Sequence, residues 1–465
     1  MRIFSLLLMG LVLLGLGACE ESGGDQTEAS VTTDLPEEIN PNYQEEALDA
    51  QLVHASMQQL TDVIVHDIFS PPVASRIYAY PSIAAYQALR PAHPNYRSLD
   101  GQLNGLQNCP QPEPNQEYCF PLASLHAFLQ TGKTLIFSEA KMEMYQSQLK
   151  THFDSLKMPR AVYERSIAYG DAMSQHILAW ADKDMYKETR TFPKYSIPIE
   201  PEKWKPTPPD YMDGIEPHWR EIRPFVLDSA EQFVPLPPTP FDIKKGSKFY
   251  KETMEVYKAL DKDREERLAI ASFWDCNPYV SHHKGHVMYA TKKITPGGHW
   301  MGIAKIAAQN SDADMMKTVE TYTLTAISLA DAFISCWDEK YRSVLIRPET
   351  VINEYFDEDW MPALQTPPFP EHTSGHSVIS TAASVALTNL YGDDFAFIDS
   401  TEIAYGLPAR SYDSFYDAAE EAAISRLYGG IHYRPAIDYG VEQGRKVGKW
   451  IVGRLKTEEE KVGMK

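Results

Sequence analysis

Trp337-Asp338-Glu339-Lys340 with Arg347-Pro348 after six further residues, Thr373-Ser374-Gly375-His376, and Ser425-Arg426 with His432 after five more are the clusters that decide how this 465-residue chain is read. Lys340, Arg347 and Arg426 bring fixed positive charge, and a guanidinium fork matches the oxygens of a tetrahedral oxyanion in pairs. Ser374 and the Gly375 amide add neutral donors. Because this small-residue turn opens straight into the apolar run Val378, Ile379, Ala382, Ala386 and Leu390, its donors are expected at a helix N-terminus, where backbone dipoles favour an anion. His376 and His432 are the groups able to move protons or hold a metal near neutral pH. Jointly these residues describe a cage for one oxyanion.

The pattern resembles the vanadium-dependent haloperoxidases and the acid phosphatases and membrane lipid phosphatases of the same PAP2 superfamily. Lys-x6-Arg-Pro, Ser-Gly-His and Ser-Arg-x5-His stand in the family's order. Two departures are visible: Thr373 stands where the family usually has Pro, and Ala436 stands four residues after His432, where an Asp is expected. Asp438 comes two residues late and is given no catalytic role. The resemblance implies an all-α protein of two helical bundles. It implies a vanadate site made by Lys340, Arg347, Ser374, Gly375, Arg426 and His432, with His432 as the vanadium ligand. His376, Lys340 and His432 are the implied catalytic residues.

Two reaction classes use such a cage. In a phosphatase the final His attacks phosphorus through a phosphohistidine intermediate while the Ser-Gly-His histidine protonates the leaving oxygen. In a haloperoxidase vanadate takes the place of phosphate, and hydrogen peroxide oxidises a halide to hypohalous acid with vanadium acting as a Lewis acid. Trp337, three residues before Lys340, and Phe369, five before Ser374, match halide-pocket positions of the haloperoxidases, and a core Trp is the plainer alternative for Trp337. Tyr279 resembles a Tyr near the vanadate in bacterial iodoperoxidases of marine flavobacteria, the group the chain looks most like. That resemblance favours iodide over bromide, with the acid phosphatase as the alternative. Asp275 in Phe273-Trp274-Asp275-Cys276 is the candidate partner of Arg426, the alternative being a helix cap or an exposed Asp. His372 is either a neighbour of the halide pocket that tunes His376 or a turn residue. Pro296-Gly297-Gly298-His299-Trp300 also resembles a family loop near the site.

The rest of the chain sets the surroundings. With 43% hydrophobic residues it has material for one large core or two smaller ones. A net charge of -20 repels phosphate backbones and argues against nucleic-acid partners. Arg2 followed by the apolar run Ile3 to Leu16 and by Leu16-Gly17-Ala18-Cys19 reads as a bacterial lipoprotein signal over residues 1–18. A lipid on Cys19 would place the protein at an outer membrane or cell surface facing the periplasm or medium. Residues 19–42 read as a flexible tether. Export makes a Cys109–Cys119 disulfide reasonable, while pairing of Cys276 with Cys336 stays open.

Helical spacing recurs over residues 47–89, broken at Pro71-Pro72, and over 121–137, 141–153 and 160–181. His54, His66, His126 and His176 lie there without metal-spaced partners and read as structural. The Pro-rich, aromatic stretch 191–240 reads as a surface wrap between an N-terminal bundle (43–240) and a C-terminal bundle (241–465) that carries the site. Helices are expected over 246–260, 264–273 and 301–337. A continuous helix through Lys340, Val344 and Arg347 would put both cations on one face two turns apart, with Pro348 ending it. Gly429-Gly430 is expected to bend the chain and redirect His432 toward the anion. A monomer is favoured.

Overall fold

The helical spacing of residues 47–89 is realised as α1 (Tyr43–Glu46), α2 (Ala50–Asp67) and α3 (Pro71–Leu89). The computed structural model describes residues 39–459, so the expected signal peptide, Cys19 and most of the tether lie outside the described residues. Asp49 caps α2 by accepting from the Gln51 amide, and Ile68 ends it in the left-handed region (φ 56°). Pro71 and Pro72 open α3, where their missing N–H groups cost nothing because first-turn donors lack intrahelical acceptors. Every residue of α3 is buried, and its one cation, Arg76, is matched by Asp184 at 2.6 Å.

α4 (Phe120–Thr134), α5 (Glu139–Ser155) and α6 (Arg160–Ala181) follow close to their expected bounds, and the short α7 (Tyr186–Thr189) ends the first half. α3 packs on α4 and α6. The histidines here do structural work: His54 Nδ1 meets Tyr322 Oη at 2.7 Å, and His126 Nε2 meets Asp171 at 2.7 Å. Cys109 and Cys119 are both buried and free, which corrects the expected disulfide. Cys276 and Cys336 are also free, with separate partners: Cys276 Sγ lies 3.3 Å from His299 Nδ1, and Cys336 Sγ lies 3.7 Å from the Thr373 carbonyl.

Residues 191–240 wrap the surface with little regular structure, as their prolines dictate, but they are tethered at defined points. Trp204 and Trp219 are fully buried. The Phe225, Val226 and Leu227 amides donate to the Asp331 carboxylate at 2.6 to 3.0 Å, so a side chain takes over the hydrogen bonding that a sheet or helix would otherwise provide. The Trp204 amide donates to the Val344 carbonyl, and Ile215 N donates to Pro368 O.

α8 (Lys248–Tyr257) and α9 (Arg264–Phe273) match expectation. A hairpin then intervenes, β1 (Val280–Lys284) paired antiparallel with β2 (Val287–Thr291); β2 is largely exposed, and the two strands carry too little apolar alternation to be read from sequence. α10 (Pro296–Asn310) and α11 (Met315–Ser343) follow, and α11 is buried from Met315 to Lys340 apart from Lys317. It packs on α2, α3 and α10 on one side, and on α13 (Gly375–Tyr391) and α15 (Arg434–Arg454) on the other. Core residues from both halves, such as Ile77 and Ile327, therefore belong to one apolar cluster. Between these lie α12 (Pro348–Tyr355), the small pair β3 (Phe397–Asp399) and β4 (Arg410–Tyr412), and α14 (Phe415–Tyr428). The described chain is all-α apart from the two small hairpins. α13 and α15 approach closely because Gly440, Gly444 and Gly448 face α13: a Cβ on Gly444 would lie 2.2 Å from the Val378 carbonyl oxygen.

Candidate active site

The cage is assembled from helix ends. Lys340 sits in the last turn of α11, but Val344 takes a left-handed conformation (φ 51°) and closes that helix at Ser343. Arg347 is the N-cap of α12, and Pro348 opens α12 instead of ending α11. The expectation of one helix presenting both cations on one face is thus corrected. The turn does the same work, since a Pro fits N1 better than an interior position. Ser374 caps α13, accepting from the Ser377 amide at 3.3 Å, so Gly375 and His376 stand in a first turn as expected. Arg426 lies in the last turn of α14; Gly429 caps it and Gly430 (φ 78°) turns the chain so that His432 points back.

The cations are buried and aimed by carbonyls. Lys340 Nζ donates to the Pro370, Glu371 and Thr373 carbonyls. Arg347 Nε donates to Phe369 O at 2.9 Å, and Nη1 to Ile431 O at 2.9 Å. Nη1 also lies 3.1 Å from His432 Nε2, while Nη2 has no partner. Arg426 donates to Trp274 O at 2.6 Å and to Ser425 Oγ at 2.9 Å. Nε2 of His376, whose ring is partly open to the cavity, also lacks a partner. An enclosed guanidinium donor without an acceptor, beside a partnerless imidazole nitrogen, fits a site shaped for an anion.

Electrostatics give the same picture. Burial, with a smaller contribution from the neighbouring Arg347 charge, pushes Lys340 down to about 8, and burial pushes Arg347 down to about 10. His376 and His432 are both held well below the usual imidazole range, first by burial and then by the nearby cations. Positive charge in an enclosed site, offset only in part by Glu371, is costly, and an oxyanion relieves it.

Trp337, Phe369 and Tyr279 line one wall of a cavity of about 270 Å³ that His376, Arg426 and His432 also border. The Trp337 and Phe369 ring centroids are 4.9 Å apart, and Lys340 Nζ lies 5.0 Å from the Phe369 centroid. Trp337 is therefore both buried and part of the wall. Asp275 borders the cavity, but its carboxylate takes Lys293 at 2.8 Å, and Arg426 is held by the Trp274 carbonyl instead. The expected Asp275–Arg426 pair is corrected to a through-space influence. His372 points away: its Nε2 meets the Leu236 carbonyl at 3.0 Å, and it lies outside the cavity wall.

Glu371 was not foreseen. Its Oε1 accepts from His432 Nδ1 at 2.8 Å and from the Tyr433 amide at 2.9 Å. This carboxylate occupies, from a different segment, the role left open by Ala436, and the only sequence signal was an acidic residue in the otherwise uncharged turn before Ser374. Burial pushes it up to about 7 while Arg347, the Tyr433 amide and Lys340 pull it down. Met212 and Ile215 of the surface wrap also line the cavity, and Ile215 O accepts from Trp337 Nε1 and Tyr341 Oη. Nothing in a Pro-rich stretch announces which of its apolar residues will face a site.

Fold and cavity together define an all-α oxyanion-binding protein with two enclosed histidines. The family described as the VCPO second helical-bundle domain matches residues 320–459. The chain is 52% identical to a protein whose crystal structure is that of the first bacterial vanadium-dependent iodoperoxidase; the match has a TM-score of 0.84 and covers 89% of this chain and 98% of that one. A bacterial vanadium-dependent chloroperoxidase in its holo form shares the fold, with a TM-score of 0.62 at 17% identity over 83% of this chain and 93% of that one. Its apo form gives 0.61 at 15% identity over 83% and 95%. Among curated proteins nothing matches. The chain belongs to the vanadium-dependent haloperoxidases.

Proposed function

We propose that this haloperoxidase uses iodide in preference to bromide, and that the caged residues divide the work as follows. The protein is an oxidoreductase with vanadate as cofactor and hydrogen peroxide and halide as substrates. The observation that carries the residue roles is the pair of enclosed, partnerless nitrogens, the Arg347 Nη2 donor and the His376 Nε2 of a neutral ring, beside His432. This donor set fits an oxyanion cofactor. Once bound, vanadate supplies a Lewis-acidic centre that activates hydrogen peroxide toward halide attack.

His432 is the ligand. Its Nδ1–H is fixed on Glu371, which makes Nε2 the ligating atom, and the Arg347 Nη1 that donates to Nε2 at 3.1 Å would give up that contact to an oxygen of the cofactor. Arg347, Arg426, the Ser374 hydroxyl and the Gly375 amide would hold the oxygens, and Lys340, whose three N–H groups already donate to carbonyls, would act on them through its charge. His376, kept neutral by burial and neighbouring cations, accepts a proton from incoming hydrogen peroxide and returns one to the departing oxygen. Lys340 adds a positive charge over the reacting oxygens from the Phe369 side. Trp337, Phe369 and Tyr279 shape the halide approach. Their apolar surface favours a large, weakly hydrated, easily oxidised halide, and the 52% identical neighbour is named an iodoperoxidase. Specificity constants for iodide, bromide and chloride, measured on vanadate-loaded protein, test the preference. Equal or greater turnover of bromide would overturn it.

We also propose a monomer anchored through lipidated Cys19 at the outer membrane or cell surface, on the strength of Leu16-Gly17-Ala18-Cys19. Cys19→Ala should move the protein to soluble fractions, and retention in the membrane would contradict the anchor.

A further inference from the structure

We propose that Cys276, His299 and Glu402 form a buried site for a divalent metal ion of the zinc class, separate from the vanadate cage. The three residues come from the loop after α9, the first turn of α10 and the stretch after β3. Cys276 Sγ lies 3.3 Å from His299 Nδ1, His299 Nδ1 lies 3.3 Å from Glu402 Oε1, and the three ligand atoms all fall within 4.8 Å of one another. Tetrahedral zinc with ordinary Zn–S, Zn–N and Zn–O bonds sets its ligands about 3.5 Å apart. The side chains are therefore already at the spacing of a shared ion.

A hydrogen-bonded polar cluster would be the plain alternative, and Glu402 speaks against it. Its side chain is 1% exposed, yet neither carboxylate oxygen has a hydrogen-bond partner, and the 3.3 Å approach to His299 lacks hydrogen-bond geometry. Its charged neighbour is the His299 ring, which Asp399 holds toward the protonated form against the effect of burial; a shared dication would give this buried carboxylate the bonding that the ring, at poor hydrogen-bond geometry, does not. His299 is prepared in the way metal-binding histidines are. Its far nitrogen, Nε2, meets Asp399 Oδ2 at 2.7 Å and Thr401 Oγ1 at 2.8 Å, and Asp399 is itself fixed by the Thr401 amide and hydroxyl. This carboxylate–histidine arrangement leaves Nδ1 as the ligating atom. Trp274 stacks on the ring at 4.4 Å and holds its plane.

Charge closes as well. On binding, Cys276 releases its thiol proton to solvent and becomes a thiolate. With the Glu402 carboxylate it balances a dication, and His299, which Asp399 keeps toward the protonated form without the ion, releases a second proton to solvent and binds neutral. Thiolate plus imidazole plus carboxylate selects a borderline ion such as zinc over magnesium or calcium. Cys276 also borders the active-site cavity, which offers a route of entry and ties the ion to the loop carrying Asp275 and Tyr279. The ion would brace that wall of the pocket.

The test is metal content and cobalt spectroscopy on the vanadate-free, full-length protein. After stripping with a chelator and dialysis against zinc, mass spectrometry should find close to one zinc per chain. Cobalt should give a thiolate-to-cobalt charge-transfer band that zinc displaces. His432→Ala and Cys109→Ser should keep both signals, and Cys276→Ser and Glu402→Gln should lose them, with circular dichroism reporting whether each variant is folded. Should the variants fail to fold, the wild-type band still decides. Absence of zinc and of the band in the wild type, or full retention of both in folded Cys276→Ser and Glu402→Gln, would overturn the site.

Discussion

Replacing Glu371 by Gln changes one atom of the cage's support and nothing of its shape. Oε1 accepts from His432 Nδ1 at 2.8 Å and from the Tyr433 amide at 2.9 Å, while Oε2 has no partner. A Gln whose oxygen takes the Oε1 position keeps both hydrogen bonds, and its amide falls where no donor was needed. Above about pH 7, where the Glu371 carboxyl is ionised, what is lost is the negative charge beside a histidine that must donate electron density to vanadium. Charge-assisted hydrogen bonds are worth roughly twice neutral ones, a difference of about 1–1.5 kcal/mol. Outer partners of ligating histidines typically contribute about 10–100-fold in metal affinity. Vanadate affinity in Glu371→Gln is therefore expected to fall by roughly 10-fold or somewhat more, about 1.4 kcal/mol or above, with the thermal midpoint of vanadate-free protein little changed. Reactivation of stripped enzyme by graded vanadate measures the affinity. A change under about 2-fold, or a loss of kcat at saturating vanadate with affinity intact, would refute Glu371 as the residue that positions His432.

His432→Ala should lose vanadate binding, whereas His376→Ala should bind vanadate and lose turnover by roughly 100-fold or more, as expected for a general acid–base residue; equilibrium dialysis with activity on the same samples separates the two, and the reverse ranking would exchange the roles. Lys340, pushed down to about 8 from a usual 10.5, is charged below about 8 and neutral above it. Its contribution to vanadate binding should thus be full in acid and fade as pH rises through 8, seen as a wild-type to Lys340→Met affinity ratio that shrinks between pH 7 and 9. By the same sign, vanadate-free protein gains stability from this group as pH rises from about 8 toward 10.5, because there the unfolded chain binds the extra proton. Gly444→Ala would place a Cβ 2.2 Å from a backbone oxygen of α13; overpacking of this kind costs ~1–3 kcal/mol or more, read as a lowered urea midpoint, and an unchanged midpoint would show that α13 and α15 part easily.

How far the sequence carried depended on whether a feature was local. Ser374-Gly375-His376 at a helix start, the Pro71-Pro72 break and the bend at Gly430 are set by residues next to them in the chain, and each was legible. The geometry of Lys340 and Arg347 was not, because Val344 adopts a left-handed conformation that a β-branched residue rarely takes without surrounding support. Glu371 was hidden for a related reason: its partner is 61 residues away, and the family offset pointed to Ala436. His372 was ambiguous in sequence since both faces of a turn are open to it, and its partner, the Leu236 carbonyl, lies 136 residues away. Arg426 found a carbonyl instead of the anticipated Asp275, since Lys293 from a strand-flanking loop took the carboxylate. The disulfide reasoning failed because compartment and proximity in sequence say nothing about whether two thiols meet.

The account stands or falls on one assay of the purified, metal-stripped protein: triiodide formation from iodide and hydrogen peroxide with and without added orthovanadate, beside hydrolysis of a chromogenic phosphate ester. No iodide oxidation without vanadate, its appearance on adding vanadate, and its suppression by excess inorganic phosphate competing for Arg347, Arg426 and His432 is the predicted result. Ester hydrolysis without vanadate, accompanied by no iodide oxidation when vanadate is supplied, would contradict it.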